Sequence, residues 1–262
     1  MNDVVHDDST GRDFHVGGQD RNLSEAEQLE QLSWYINEHH PMPTASADKD
    51  AWLARLPDRL THAAMLMLGA AVDHTMPGVA FTQGVEVQEL PELAAVMFIP
   101  QQSNDRQRWA VSLSPGLSAF ALDNAWRPEV AAAANLSGTT IIDVSDPGKA
   151  ASAIEYARAQ GAQHVTAWGT AESAADACSL APLIDALLLT RPVYAPDAFI
   201  ASATESWPAT MIQHGIRDDV ATRWEDAEKR ATVREYTAEH HVLTPAVARQ
   251  RIQDAAEFLR SV

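Results

Sequence analysis

Residues 165–177, VTAWGTAESAADA, decide the fold of this chain. The stretch begins as an apolar strand, passes a glycine at Gly169, and continues as a run of small residues typical of a helix. A strand that turns sharply into a helix is the repeating unit of a parallel α/β sheet. Ligands in such sheets lie just beyond the carboxyl ends of the strands, which directs attention to Ala171 and Ser173.

The chain on both sides of this stretch repeats the same pattern. Strand-like and helix-like segments alternate about five times, which predicts a mostly parallel sheet with helices on both faces. Gly138 and Gly161 end two predicted helices, and Thr244 and Pro245 begin the last one. The predicted strands are VEVQEL, AAVMFIP, RWAVSLSP, TTIIDV, HVTAWG, DALLLTRP, ATMIQHG and VREYTAEHH.

Three regions are predicted along the chain. Residues 1–22 are polar and acidic, and we expect a disordered tail there. Residues 23–80 show helical spacing, with Ser24 as an N-cap and a break or kink at Pro57, and should pack as a partial cap on the main domain. Residues 81–262 form the α/β domain.

The composition narrows the class of partner. The formal net charge of -17 argues against binding to nucleic acid or to an anionic membrane surface. The single cysteine, Cys178, rules out an internal disulfide, and the first twenty residues lack a signal-peptide pattern. We therefore expect a cytoplasmic protein that binds neither nucleic acid nor a membrane. No nucleotide-binding or metal-binding motif is found, so we expect neither a cofactor nor a metal.

Four segments follow predicted strands: SPGLSA, the turn at residues 169–173, HGIRDD and EHHVLTP. Their order and spacing resemble the α/β-hydrolase superfamily, and the loop and turn are most similar to its acetyl-esterase and carboxylesterase-like branch. The resemblance implies that Asp218, in HGIRD, is the acid of a catalytic triad, with Asp219 as an alternate. It also implies that His240 is the base, with the neighbouring His241 as an alternate that could face solvent.

The turn departs from the family pattern. The alignment on the strand HVTAWG places Gly169 at the first family glycine, Ala171 at the nucleophile and Ser173 at the second glycine. A methyl group cannot attack a carbonyl, and a side chain at residue 173 is expected to crowd the turn. In a second alignment AESAA resembles GESAG, and Ser173 is the nucleophile. That alignment needs two extra residues between the strand and the turn.

The early loop, SPGL, departs as well. The oxyanion hole of the family takes one N–H from the residue after the nucleophile and another from a glycine-rich loop. Here Ser114 replaces the first residue of that loop, Pro115 has no N–H, and Leu117 stands in place of a glycine. Gly116 is kept, and Ala174 would supply the second N–H in the alignment that uses Ser173.

Two functions from different classes remain. The first is an esterase-like protein whose catalysis is impaired or lost because Ala171 occupies the nucleophile position. Such a protein would bind a small molecule, an ester or a related ligand, or a protein partner. The alternative is an active carboxylic-ester hydrolase that uses Ser173, His240 and Asp218. The residue types alone equally allow Asp218 and Asp219 to be N-caps of a helix predicted over DVATRWEDAEKR, and His214 is expected to be a packing histidine.

Overall fold

The computed structural model describes residues 23–68, 84–102, 107–114, 116–195, 207–224 and 227–262, together with the backbone of 4–7 and 12–15. The last two segments form strands β1 (Val4–Asp7) and β2 (Arg12–His15), which pair antiparallel. The sequence predicted disorder over 1–22, so these strands differ from that expectation. The rest of 1–22 lies outside the described residues.

An eight-stranded sheet organises the chain, in the order β10-β9-β8-β7-β5-β6-β4-β3. From β6 to β10 all neighbours are parallel, whereas β3 and β4 run antiparallel at one edge. The predicted mostly parallel sheet is confirmed. The strands are β3 (Val85–Leu90), β4 (Ala95–Pro100), β5 (Arg108–Leu113), β6 (Thr140–Val144), β7 (His164–Thr170), β8 (Ala186–Thr190), β9 (Ala209–Gly215) and β10 (Thr232–Tyr236).

Two apolar cores lie on opposite faces of this sheet. One face is covered by the small buried residues of two short helices, and the other by two longer helices that contact each other. The central strands are buried on both faces, which explains why they are continuous apolar runs instead of alternating ones. The two short helices are α6 (Ala150–Ala159) and α7 (Ala174–Ser179), and the two longer ones are α5 (Arg127–Ser137) and α8 (Pro245–Ser261). A further helical turn, α4 (Ala119–Ala121), precedes α5 in the chain. In the described part of the chain, no helix has the length and apolar character needed to cross a membrane.

The predicted signals at helix ends are present in the structure. Gly138 ends α5 with a φ of 75°, and the Thr244 hydroxyl accepts a hydrogen bond from the Val247 N–H at the start of α8. Strand β10 ends at Tyr236, although the sequence predicted strand as far as residue 241. A bridge between Ala238 and Leu243 turns the chain back at that point, so the two histidines lie in a loop.

In the part of the chain that the structure describes, three α-helices precede the sheet: α1 (Glu25–His39), α2 (Ser46–Arg55) and α3 (Thr61–Leu68). Ser24 caps α1 through a reciprocal capping box with Glu27, as the sequence predicted for the cap residue. Pro57 lies in a π-helical turn that joins α2 to α3, in agreement with the predicted break. The buried side chains of the three helices pack against Val242, in the loop that follows β10.

Candidate active site

The carboxyl ends of four adjacent strands bring together the residues that the sequence singled out. Ala171 directly follows β7, Arg191 directly follows β8, Asp218 follows β9, and His240 follows β10. These strands are consecutive in the sheet order, so their ends lie side by side at one edge. Ligands of parallel sheets bind outside this edge.

Ala171 occupies the strained position of the turn after β7. Its φ is 49°, in the left-handed region that L-residues rarely adopt. The preceding Thr170 is extended, and Ser173 has a right-handed helical φ of -71°. Because a nucleophile elbow holds its nucleophile on a strained strand-to-helix turn, the residue in that backbone state here is Ala171.

Gly169 permits a close approach of α7 to β7. A Cβ built on Gly169 would lie 2.7 Å from the Ala177 Cβ and 2.9 Å from the Ala174 Cα, which is closer than such atoms approach one another. The close packing of α7 on β7 therefore requires a glycine at residue 169, two residues before Ala171.

Ser173 is buried and its hydroxyl is tied to the backbone. Its Oγ accepts a hydrogen bond from the Thr170 N–H at 2.9 Å and lies 2.8 Å from the carbonyl oxygens of Leu113 and Thr170, to which it can donate. The side chain was expected to crowd the turn, and this expectation was wrong. Because residue 173 has a helical conformation, the position does not require a glycine. The Ser173 hydroxyl links the end of β5 to the turn after β7.

Asp218 and His240 form a buried pair. Nδ1 of His240 lies 3.0 Å from both carboxylate oxygens, and the Asp218 side chain is 1% exposed. The amides of Val220 and Ala221 donate to Oδ1 of the same carboxylate. Burial alone would raise the pKa of Asp218, but the hydrogen bonds from His240 and the two amides lower it to about 2. The pair therefore consists of a carboxylate that orients an imidazole through Nδ1.

The two alternates lie elsewhere. Asp219 is exposed beside Asp218. His241 does not face solvent, as the sequence suggested, but is half-buried, with its ring against Trp52 of α2 and against His240. Burial, and then the charge of Arg191, lower the pKa of His241 to about 3, so this ring is neutral near pH 7.

The segment that follows Asp218 differs from its prediction. A helix was expected over DVATRWEDAEKR. Instead, the described residues 219–221 form a bend, residues 222–224 are irregular, and Ala227–Lys229 form a short 3-10 helix. The Asp218 carboxylate holds the start of this segment, because it accepts hydrogen bonds from the Val220 and Ala221 amides. His214 on β9 is 3% exposed, and burial followed by the charge of Arg223 lowers its pKa to about 4, which fits the expected packing role.

The early loop begins at a buried polar cluster. The Ser114 hydroxyl lies 3.2 Å from Oδ1 of Asp143, a fully buried carboxylate on β6. Ser112, Trp126 and Arg127 donate to the same carboxylate. Burial raises the pKa of Asp143, while the charge of Arg127 acts in the opposite direction. This cluster fixes the end of β5 from which the loop departs.

The groups proposed for an oxyanion hole differ in their contacts. Gly116 is exposed with a φ of 65°, and Leu117 packs against the core formed by α5 and α8. The Ala174 N–H donates to the carbonyl oxygens of Ala171 and Glu172 within the turn. That amide is therefore already engaged in the protein.

Sequence reasoning did not single out Arg191 or Asp143. Arg191 lies in TRP, directly after a predicted strand, and its position alone could have marked it as an edge residue. Asp143 interrupts the apolar run TTIIDV, and a charge inside a buried strand needs a partner. Among the described residues, no group of three or more histidine, cysteine, aspartate or glutamate side chains is arranged to hold a metal ion.

Several solved structures with a similar fold are esterases. The esterase LipW from Mycobacterium marinum matches 91% of this chain and 99% of its own, with 12% identity and a TM-score of 0.54. An arylesterase matches 90% of this chain and 97% of its own, with 11% identity and a TM-score of 0.58. An esterase from Pyrobaculum calidifontis matches 68% and 85%, with 14% identity and a TM-score of 0.51.

No family sequence model and no curated protein sequence matches the chain. At the identities of the structural matches, the likeness concerns the fold alone. The resemblance that the sequence suggested is confirmed at that level: this chain has the α/β-hydrolase fold.

Proposed function

We propose that this chain is an esterase-like protein that binds a small molecule at the carboxyl edge of its sheet and lacks serine-nucleophile catalysis. The observation that carries the proposal is the φ of 49° at Ala171, because this residue occupies the strained turn position where a hydrolase of this fold holds its nucleophile. A methyl group there can form no acyl-enzyme intermediate. At the same edge of the sheet, the contact of Asp218 with Nδ1 of His240 is the one that a triad's acid makes with its base.

The contacts of Ser173 support the same proposal. A serine nucleophile needs an Oγ that can give its proton to the base and reach the substrate. The Ser173 Oγ instead hydrogen-bonds to Thr170 and Leu113 inside the protein. The amide that would serve it in an oxyanion hole, that of Ala174, is bonded within the turn. The alternative, an active esterase with Ser173 as nucleophile, would require both sets of hydrogen bonds to be broken.

A second candidate function is favoured by the Asp218–His240 pair. A buried carboxylate that orients a histidine can serve as a general base without a covalent intermediate. In that case water attacks the carbonyl carbon of a bound ester and His240 takes the proton of the water. The tetrahedral intermediate then expels the alcohol, which takes up that proton. This function needs no hydroxyl at residue 171 or 173.

Labelling with a fluorophosphonate, combined with a short-chain ester assay, tests the proposal. We expect the wild-type protein to show neither an adduct by intact mass nor turnover above that of the His240→Gln variant. An adduct mapped to Ser173, lost together with turnover in Ser173→Ala, would establish the alternative enzyme. Turnover without an adduct, abolished by His240→Gln, would instead support the general-base function.

A further inference from the structure

We infer, on the basis of the small-molecule site proposed above, that Arg191 is the anchor of that site and that the ligand carries a carboxylate. Arg191 directly follows β8, between the turn that holds Ala171 and the loop that holds His240. Its backbone is fixed at this place, because its N–H donates to the Gln213 carbonyl oxygen at 2.7 Å. Two residues later, the Val193 N–H donates to the Ala171 carbonyl oxygen at 3.1 Å.

The backbone of Arg191 is strained. Its φ is 44°, and together with Ala94 and Ala171 it is one of the non-glycine residues with positive φ in the described part of the chain. A long side chain rarely adopts this conformation, and such strain concentrates at functional sites. Two of these three residues are therefore neighbours at the carboxyl edge of the sheet.

The guanidinium group of Arg191 is incompletely paired. One amino group donates to the His240 carbonyl oxygen, whereas the buried Nε has no hydrogen-bond partner among the described residues. No carboxylate of the described residues forms an ion pair with Arg191, although the nearby Arg251 is paired with Glu129. A half-buried cation with an unpaired Nε, in contact with the loop that holds the candidate base, is a site for an anion.

The surrounding charges favour a carboxylate over a phosphate. Burial, and then the charge of Arg251, lower the pKa of Arg191 to about 10, so the group is a cation at neutral pH. The acidic groups Asp218, Glu129 and Glu172 are close enough to act on it in the opposite direction. A singly charged carboxylate matches one guanidinium edge with two parallel hydrogen bonds. A phosphate would bring a second negative charge into this acidic surrounding.

Calorimetric titration of the full chain with butyrate and with butyramide tests this inference, because the two probes have similar shape and differ in charge. We expect the wild-type protein to bind butyrate more tightly than butyramide and than inorganic phosphate at the same ionic strength. Arg191→Gln should weaken butyrate binding about 10- to 100-fold and leave butyramide binding unchanged. Arg191→Lys, which keeps the charge without the planar fork, should fall between the two.

Arg217→Gln is the matched control, because Arg217 is an exposed arginine next to Asp218. It should leave both affinities unchanged. Equal wild-type affinity for the two probes, tighter binding of phosphate than of butyrate, or an equal loss of both probes in Arg191→Gln would overturn the inference. Fluorophosphonate labelling of the same samples reports separately on the proposed function. An adduct at Ser173 with butyrate selectivity intact would remove the proposed function alone, and no adduct with no selectivity would remove the Arg191 site alone.

Discussion

A single side chain separates the proposed function from that of an esterase. The acid and the base lie together as buried Asp218 and His240, with a Nδ1 to carboxylate distance of 3.0 Å. The strained position of the turn after β7, at the same edge of the sheet, is occupied by Ala171. The nearby hydroxyl, that of Ser173, bonds to the backbone of its own turn. The chemistry of this site therefore depends on which of two positions two residues apart carries a reactive group.

The structural role of Ser173 can be measured by Ser173→Ala. The change leaves the buried Thr170 N–H without its acceptor, so we expect a loss of about 1–3 kcal/mol in the free energy of unfolding. Ser179→Ala is the control, because the Ser179 hydroxyl donates to the Asp176 carbonyl oxygen at an exposed helix end. It should stay within about 0.5 kcal/mol of wild type. Urea denaturation of both variants decides the matter, and equal effects would show that the Ser173 hydroxyl does not hold the turn.

The low pKa of Asp218 predicts a dependence of stability on pH. The folded-state pKa of about 2 lies below the ordinary value of 3.8, so the unfolded chain binds the proton first as the pH falls. The stabilisation is thus complete above about pH 5 and is lost as the pH falls through 4 toward 2. It amounts to about 2 kcal/mol. The difference in unfolding free energy between wild type and Asp218→Asn should shrink over that range.

Asp219→Asn is the control for this pH dependence, since Asp219 is exposed beside Asp218. The control should differ from wild type by less than about 0.5 kcal/mol at every pH. A constant difference between wild type and Asp218→Asn from pH 6 to pH 3 would contradict the assigned ionisation.

At the scale of the element, the strand β7, the turn and helix α7 form a unit that does not depend on a nucleophile. The Ser173 hydrogen bonds hold the turn. The helix packs closely on the strand because Gly169 has no side chain. The strain at Ala171 is a feature of this backbone. The unit therefore keeps its backbone geometry with alanine at residue 171.

The strain at Ala171 predicts an unusual effect of Ala171→Gly. A left-handed L-residue costs roughly 1–2 kcal/mol, and the extra chain entropy of glycine costs about 0.5–1 kcal/mol. We therefore expect Ala171→Gly to be neutral or to stabilise the protein by up to about 1.5 kcal/mol. Ala132→Gly, in the middle of α5, should destabilise it by about 1 kcal/mol. If thermal denaturation shows the same loss in both variants, Ala171 is not strained.

The close contact of α7 with β7 predicts that Gly169→Ala is strongly destabilising. The new Cβ would meet the backbone of Ala174, which a rotamer change cannot relieve. We expect a loss of about 1–3 kcal/mol or more. At Gly148 an added Cβ would meet only the Asp146 side chain at 3.2 Å, so Gly148→Ala should cost much less. If the two variants have the same denaturation midpoint, this packing is contradicted.

At the scale of the whole molecule, the sequence predicted the sheet because its strands are recognisable without tertiary information. Buried parallel strands are apolar runs, and helices between them start and stop at signals such as Thr244 and Gly138. The juxtaposition of Asp218 and His240 was also predictable, because both follow adjacent strands in a sheet whose ends meet at one edge.

Other features depend on contacts that no local pattern encodes. The helix expected after Asp218 is absent from the described residues, because the carboxylate holds a turn and a buried histidine instead. His241 is covered by Trp52, which is distant in the sequence. Arg191 acquires its place from the backbone of β9 and from the His240 loop, and neither contact is visible in the letters TRP.

The most direct measurement is the intact mass of Ala171→Ser after treatment with a fluorophosphonate, beside wild type and the double variant Ala171→Ser/His240→Gln. If residue 171 faces His240 at the nucleophile position, Ala171→Ser gains one adduct, mapped to residue 171, and the double variant gains none. The wild-type protein stays unlabelled. An adduct on Ser173 in the wild-type protein, or no adduct on a correctly folded Ala171→Ser, would contradict the account.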